Sequence, residues 1–173
     1  MKIKILKADI TALNFKVDAI VNAANKRLMG GGGVDGAIHS RAGPDLAMEC
    51  RKKLEDNHKE VLNTGSALIT DSFGLRKKAK YIIHTVGPIY DRDEIGLLRD
   101  CYKNCLRVAE DYNCKSIAFP AISTGVYRVP VDVSARIVRE TLDDFVSDVV
   151  EEIYLVLYDE EAYKAYKNEF GVE

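Results

Sequence analysis

The sequence predicts an α/β fold, a three-layer α/β/α sandwich in which a mostly parallel sheet of about six strands lies between helices. Three observations carry this. Six apolar runs of strand length alternate with segments of helical length, the order that builds crossover units on a parallel sheet. The run from Asp18 to Ala23 contains Ala-Ile-Val with no polar alternation, the mark of a strand covered on both faces. At 173 residues, 47% of them hydrophobic, the chain suffices for one core and is read as one domain, 1–173.

The elements follow in order. Lys2 to Leu6, KIKIL, alternates and makes a first strand, ended by the polar break Ala8-Asp9-Ile10-Thr11, where Asp9 suits a turn cap. The second strand, around Asp18 to Ala23, delivers Asn25 to one end of the sheet. A connection to Met29, a run of four glycines and a short helix to about Arg41 come next. Gly43-Pro44 breaks that helix, and Pro44 fits the first turn of the following one, PDLAMECRKKLEDN. SALITDS reads as a third strand and Lys80 to Val86, KYIIHTV, as a fourth, stopped by Gly87-Pro88. A helix from about Glu94 to Asp111 turns Leu98, Cys101, Cys105, Leu106 and Ala109 inward. Ser116 to Ala121 is the fifth strand and runs into a second glycine-containing loop, Ile122 to Tyr127. A helix from about Val131 to Phe145, a sixth strand from Ile153 to Tyr158 and a helix from Glu160 to Phe170 complete the order.

Function enters at Gly30 to His39, GGGGVDGAIH. Consecutive glycines before a helix let a ligand approach backbone N–H groups closely, and that pairing binds an anion, most often a phosphate. Both glycine loops follow buried strands and precede helices, so both belong at the carboxyl edge of the sheet, where ligands of open α/β folds bind. Two such loops at one edge point to a diphosphate. Asp35, just inside the first helix, would repel phosphate and must therefore face another part of the ligand if it is functional.

Composition narrows the partners. A net charge of −2 leaves no electrostatic footprint for duplex nucleic acid. No run approaches the length of a membrane span and no secretory signal opens the chain, so a cytoplasmic protein without membrane contact is expected. Cys50, Cys101, Cys105 and Cys114 lack CxxC spacing and clustered histidines, so neither a zinc site nor a disulfide framework is indicated, and Cys101 and Cys105, on one helical face with Leu98, read as core. His84, within an apolar strand, reads as structural, and His58 lies in a charged stretch. No histidine has a partner at metal-ligand spacing, so no metal is expected. With no heptad or apolar stripe in view, a monomer is expected.

Gly31, Gly33 and Gly36 form a literal G-x-G-x-x-G, but they stand about half a dozen residues beyond their strand, whereas the dinucleotide fingerprint occupies the tight turn directly after it. The P-loop pattern fails, because no Lys-Ser or Lys-Thr follows the glycines. Instead DIT at Asp9 to Thr11, VDAIVNAAN, LMGGGGVDGAIH, GSALIT, HTVGP, FPAISTGVY and the terminal YDEE together resemble the macrodomain, a module that binds ADP-ribose. The glycine loop carrying Asp35 is similar to that of the MacroD-type branch. Members of that branch remove ADP-ribose from acidic side chains and deacetylate O-acetyl-ADP-ribose. The resemblance spans nearly the whole chain in the right order and implies a mixed, mostly parallel sheet.

It also implies roles. Asp9 would accept from the adenine amine, with the Ile10 backbone assisting and Tyr158 lying against the ring. Gly32, Gly33 and Val34 would wrap one side of the diphosphate, and Ser123, Thr124, Gly125, Val126 and Tyr127 the other. Asn25 and Asp35 would carry the chemistry: the first holds the distal ribose hydroxyls, the second positions or deprotonates a water that attacks the ester carbonyl or the anomeric carbon, the alternative being a water activated by the substrate's own diphosphate. By helical spacing, His39, four residues after Asp35 and on the same face, either orients or charge-balances it or is a satisfied buried histidine. ADP-ribose, its esters and mono-ADP-ribosylated proteins are the implied partners, with no cofactor. A module that reads ADP-ribose without turnover is the alternative. Three positions depart from the usual pattern: Ala8 before the DIT motif, Ser40-Arg41 after the histidine, and Arg128 after Tyr127, where a small residue is common. There is no adjacent glutamate pair after the glycine loop, as poly-ADP-ribose glycohydrolases have, and no Cys/His insertion.

Overall fold

Six strands of the computed structural model, which describes residues 1–173, form a single sheet. They are β1 (Lys2–Lys7), β2 (Val17–Ala24), β3 (Ala67–Asp71), β4 (Ala79–Val86), β5 (Ser116–Phe119) and β6 (Glu152–Leu157). The order across the sheet is β1-β6-β5-β2-β4-β3, parallel throughout except for the edge hairpin partners β3 and β4. The helices are α1 (Gly33–Ala42), α2 (Asp45–Asp56), α3 (Gly96–Asp111), α4 (Val131–Asp143) and α5 (Glu160–Phe170).

Strand alternation decides which helices cover which face. Ala19 and Val21 of β2 and Ile83 of β4 point into a cluster with Leu98 and Leu106 of α3, Ala135 and Val138 of α4 and Tyr166 of α5. Ile20, Ala24, Ile82 and Val86 point the other way, onto Ile38 of α1 and Leu46 and Leu54 of α2. Three layers result. The edge strand β1 departs from the expectation of a buried sheet: its first three residues are exposed.

Two strands end earlier than their apolar runs suggest. β5 stops at Phe119 because Pro120 has no N–H for the ladder. β6 stops at Leu157, whose carbonyl takes the last rung from the Ala8 N–H at 3.0 Å. Beyond it β1 turns into a short 3₁₀ turn, Ile10–Ala12, so Tyr158 has no strand to pair with and lies 77% exposed. Asp159 then caps α5, its side chain accepting from the Ala162 N–H at 2.8 Å. Asp159→Ala is expected to lower unfolding free energy by about 1 kcal/mol. A urea midpoint that falls with an unchanged slope would show it.

The topology places the opening. From β2 the chain moves outward to β3 and β4, then returns across β2 to β5 and β6 on the other side. β2 and β5 are paired only at Ala19 with Ile117 and Ile20 with Ala118, so their carboxyl ends diverge. A crevice between strands that leave in opposite directions is where open α/β sheets bind ligands.

Candidate functional site

A cleft of about 730 Å³ opens at this point, within the range of about 300–1,000 Å³ typical of small-molecule sites. Its floor is the carboxyl edge of the sheet, with Ala24 from β2, Val156 from β6, Pro120 after β5 and Gly87 after β4. Asp9, Ile10, Asn25, Gly32, Gly33, Val34 and Asp35 line one side. Ser123, Thr124, Gly125, Val126 and Tyr127 line the other, and Tyr158 stands at the rim. The structure thus brings together every one of these residues that the sequence singled out; His39 stands behind Asp35 rather than in the lining.

The first wall is the glycine loop. Gly30 and Gly33 take φ of 92° and 57°, the left-handed region that a side chain would strain. Asn25 braces the loop: its Oδ1 accepts from the Leu28 N–H at 3.1 Å and its Nδ2 donates to the Gly30 carbonyl at 3.0 Å. α1 begins at Gly33 with Gly32 as its cap, and no side chain occupies the first-turn N–H groups. Those donors and the helix dipole face the cleft, the arrangement that attracts an anion.

The second wall is held from below. Tyr102 of α3 is fully buried; its hydroxyl donates to the Pro120 carbonyl at 3.1 Å and accepts from the Ile122 N–H at 3.4 Å. Ser123 sits at φ 67°, buried, with its Oγ lacking any protein partner. Gly87 passes directly beneath it, so close that any Cβ at Gly87 would collide with the serine side chain. Arg128 also adopts a left-handed φ, 64°, and is exposed outside the cleft lining.

At one end of the cleft Asp9 has a structural duty. Its Oδ1 accepts from the Thr11 N–H at 2.9 Å and the Thr11 hydroxyl at 2.6 Å, capping the 3₁₀ turn. Partial burial raises its pKa, but the Thr11 bonds, with Arg41 4.0 Å from Oδ2, outweigh that and leave it lowered, so the carboxylate is acceptor-only at neutral pH. Oδ2 carries no hydrogen bond within the chain.

At the other end Asp35 is only 5% exposed. Its Oδ1 accepts from Asn22 Nδ2 at 2.8 Å, and His39 Nε2 lies 3.4 Å away without hydrogen-bond geometry. A Cβ on Gly31 would stand 3.2 Å from Asp35 Oδ2 and 3.5 Å from Asn25 Nδ2, so these two groups converge above the glycine loop. Burial raises the Asp35 pKa, and the Asn22 bond and His39 only partly offset it.

Sequence reasoning passed over Asn22 and took His84 as structural. The register pairs them directly, Asn22 with His84 across β2 and β4, on the face that α1 and α2 cover. A usable signal was there: each is a polar break in an otherwise apolar strand. Gly87 and the Pro120–Ile122 floor were also unassigned, since their exposure to the cleft depends on strands far apart in the chain.

The Macro domain family model matches residues 21–138. A Macro domain-containing protein of Streptomyces coelicolor is 46% identical over 171 residues, covering 98% of each chain. An O-acetyl-ADP-ribose deacetylase of Salmonella newport is 48% identical over 170 residues, 95% of this chain and 92% of that one. Among solved structures, a mutant of the Oceanobacillus iheyensis macrodomain with ADPR superposes at a TM-score of 0.89, with 39% identity, 96% of this chain and 90% of that one.

Proposed function

Because this chain belongs to the Macro domain family, we propose that it is a hydrolase of ADP-ribose esters, deacetylating O-acetyl-ADP-ribose and removing ADP-ribose from mono-ADP-ribosylated acidic side chains. The observation that carries this is a buried carboxylate, Asp35, with one oxygen bound by Asn22 and the other converging with Asn25 over the glycine loop. A binding module has no use for an acid held there beside an anion site.

The ligand lies along the cleft with its adenine amine donating to Asp9 Oδ2 and its ring against Tyr158, whose exposure leaves a face free. The diphosphate takes the α1 N-terminal donors on one side and the Ser123–Tyr127 loop on the other. The distal ribose then reaches Asn25. A water bound at Asp35 Oδ2 gives its proton to the carboxylate as its oxygen attacks the ester carbonyl. The ester C–O bond then breaks, Asp35 returns its proton to the departing ribose oxygen, and ADP-ribose and a carboxylic acid leave with the carboxylate restored. Four unpaired, buried thiols suit a reducing compartment and support the cytoplasmic reading.

Asp35 must be ionised to take that proton. With its pKa raised by burial, kcat/KM falls as pH drops through a point above the ordinary carboxylate value, and a pH series on the free enzyme locates it. Incubation with O-acetyl-ADP-ribose and with a glutamate-linked mono-ADP-ribosylated protein, alongside calorimetric binding of ADP-ribose, tests the assignment. Release from either ester supports it. Binding of ADP-ribose without release from either makes the protein a reader.

A further inference from the structure

Behind Asp35, three polar side chains stand in a row on the face of the sheet beneath α1 and α2: Asn22 of β2, His84 of β4 and Thr70 of β3. All three are 0–1% exposed. Cys50 of α2 lies over them, its thiol 3.6 Å from His84 Nε2. An apolar trio would pack this layer without desolvating polar atoms, so the row needs a reason. Its hydrogen bonds run in one direction. Asn22 Nδ2 donates to Asp35 Oδ1 at 2.8 Å and to His84 Nδ1 at 3.1 Å. An amide nitrogen only donates, so Nδ1 accepts and the ring is neutral with its proton on Nε2. That proton goes to Thr70 Oγ1 at 3.0 Å, and the Thr70 hydroxyl donates to the Asp71 carbonyl at 3.0 Å.

Both N–H groups of Asn22 are therefore committed, and its Oδ1 is left buried without a protein partner. Turning the amide over would satisfy neither acceptor and would set Oδ1 against the carboxylate. The geometry points to His84 as a positioning residue for the hydrolysis proposed above: by accepting one N–H of Asn22 it aims the other at Asp35 Oδ1, which leaves Oδ2 turned toward the cleft. The inference rests on that hydrolytic reading.

Burial holds the His84 pKa down to about 3, with His39 and Lys53 adding to the effect, so the ring stays a neutral acceptor throughout the working range. The titratable groups around the row are Asp35 and His39 from α1 and Cys50 and Lys53 from α2, with Glu49 beside Cys50 and Lys53. Burial pushes the Cys50 thiol up to about 12, so it too is neutral.

The test uses two amides that differ in where they place their oxygen. His84→Asn sets it in the position of Nδ1, facing Asn22. His84→Gln sets its amide nitrogen at the position of Nε2, donating to Thr70, and leaves no acceptor at the position of Nδ1 for Asn22. In His84→Gln the Asp35 titration midpoint, read by carbon NMR of its carboxyl group in the free protein, is expected to move to higher pH, because the Asn22 bond that lowers it is loosened. Turnover of O-acetyl-ADP-ribose should fall on the order of tenfold in kcat, the loss of one hydrogen bond to a charged group, with affinity for ADP-ribose held. His84→Asn should keep the wild-type midpoint. Asn22→Leu breaks the same link from the other side and serves should the histidine variants unfold. An unmoved Asp35 midpoint and undiminished kcat in His84→Gln, with both histidine variants losing only thermal stability, would make His84 a packing residue and overturn the inference. If wild type hydrolyses no ester while the midpoint still moves, the hydrolase reading fails and the positioning of Asp35 stands.

Discussion

Asp35→Asn is expected to bind ADP-ribose with an affinity close to wild type and to lose turnover by about 10²–10⁴-fold, the contribution of a well-placed general base. The substitution is chosen for what it keeps. An Asn oxygen at the Oδ1 position still accepts from Asn22 Nδ2, so the start of α1 and the glycine loop have no reason to move. It removes only the ability to take a proton. Stability gives an independent reading. Asp35 is a buried acid whose pKa is raised in the fold, so its folded form holds a proton more tightly than the unfolded chain does. That favours the fold at low pH and is lost as pH rises through the raised value, leaving an ionised Asp35 as a cost near neutrality. The amide carries no such cost. Its thermal midpoint at pH 7 is expected to match or exceed that of wild type, and single-turnover assays with O-acetyl-ADP-ribose measure the rate loss. A variant that turned over within threefold of wild type, about 0.65 kcal/mol of barrier, would remove Asp35 from the chemistry.

Gly36→Ala is expected to weaken ADP-ribose binding by about tenfold or more while lowering stability by about 1–3 kcal/mol, the cost of overpacking. Gly36 lies in the first turns of α1 with its Cα packed against the carbonyl of Gly31, and a Cβ there would fall well inside van der Waals contact with that oxygen. Neither partner is a flexible side chain. The glycine loop or α1 has to shift, and with it the N–H groups proposed to hold the diphosphate. Gly96→Ala provides the comparison. It begins α3, takes no left-handed φ and has nothing within 4 Å of its Cβ position, so it should leave both affinity and urea midpoint nearly unchanged. Calorimetry with ADP-ribose on the three proteins separates the local clash from a general effect of alanine for glycine.

The six strands and five helices were legible because the signals that make them are local. KIKIL alternates, Ala-Ile-Val in β2 does not, and Gly43-Pro44 and Gly87-Pro88 interrupt the backbone where elements end. The ends of β5 and β6 were less so. Pro120 closes one by lacking a donor, which the sequence shows. Tyr158 drops off the other because β1 turns away after Ala8, and nothing near Tyr158 in the chain reports that. The two glycine loops of the cleft were legible for the same reason as the strands, whereas Asp9, Ile10 and Tyr158 were named through the resemblance to the macrodomain. Loops that follow parallel strands gather at one edge, so naming the loops amounts to naming the wall.

By itself the sequence determined the alternation of strands and helices, the anion-friendly glycine loop ahead of α1 and the presence of an acid, Asp35, in its first turn. Only the tertiary structure decided that β2 and β5 part after two paired residues to open the crevice, and that Asp35 is a buried acid with one oxygen bound. It also decided that His84, 62 residues from Asn22, stands beside it in register and orients its amide. The physical reason is range. Periodicity, turn chemistry and capping act over a few neighbouring residues, whereas register, desolvation and the direction of a buried hydrogen bond depend on groups brought together across the whole chain.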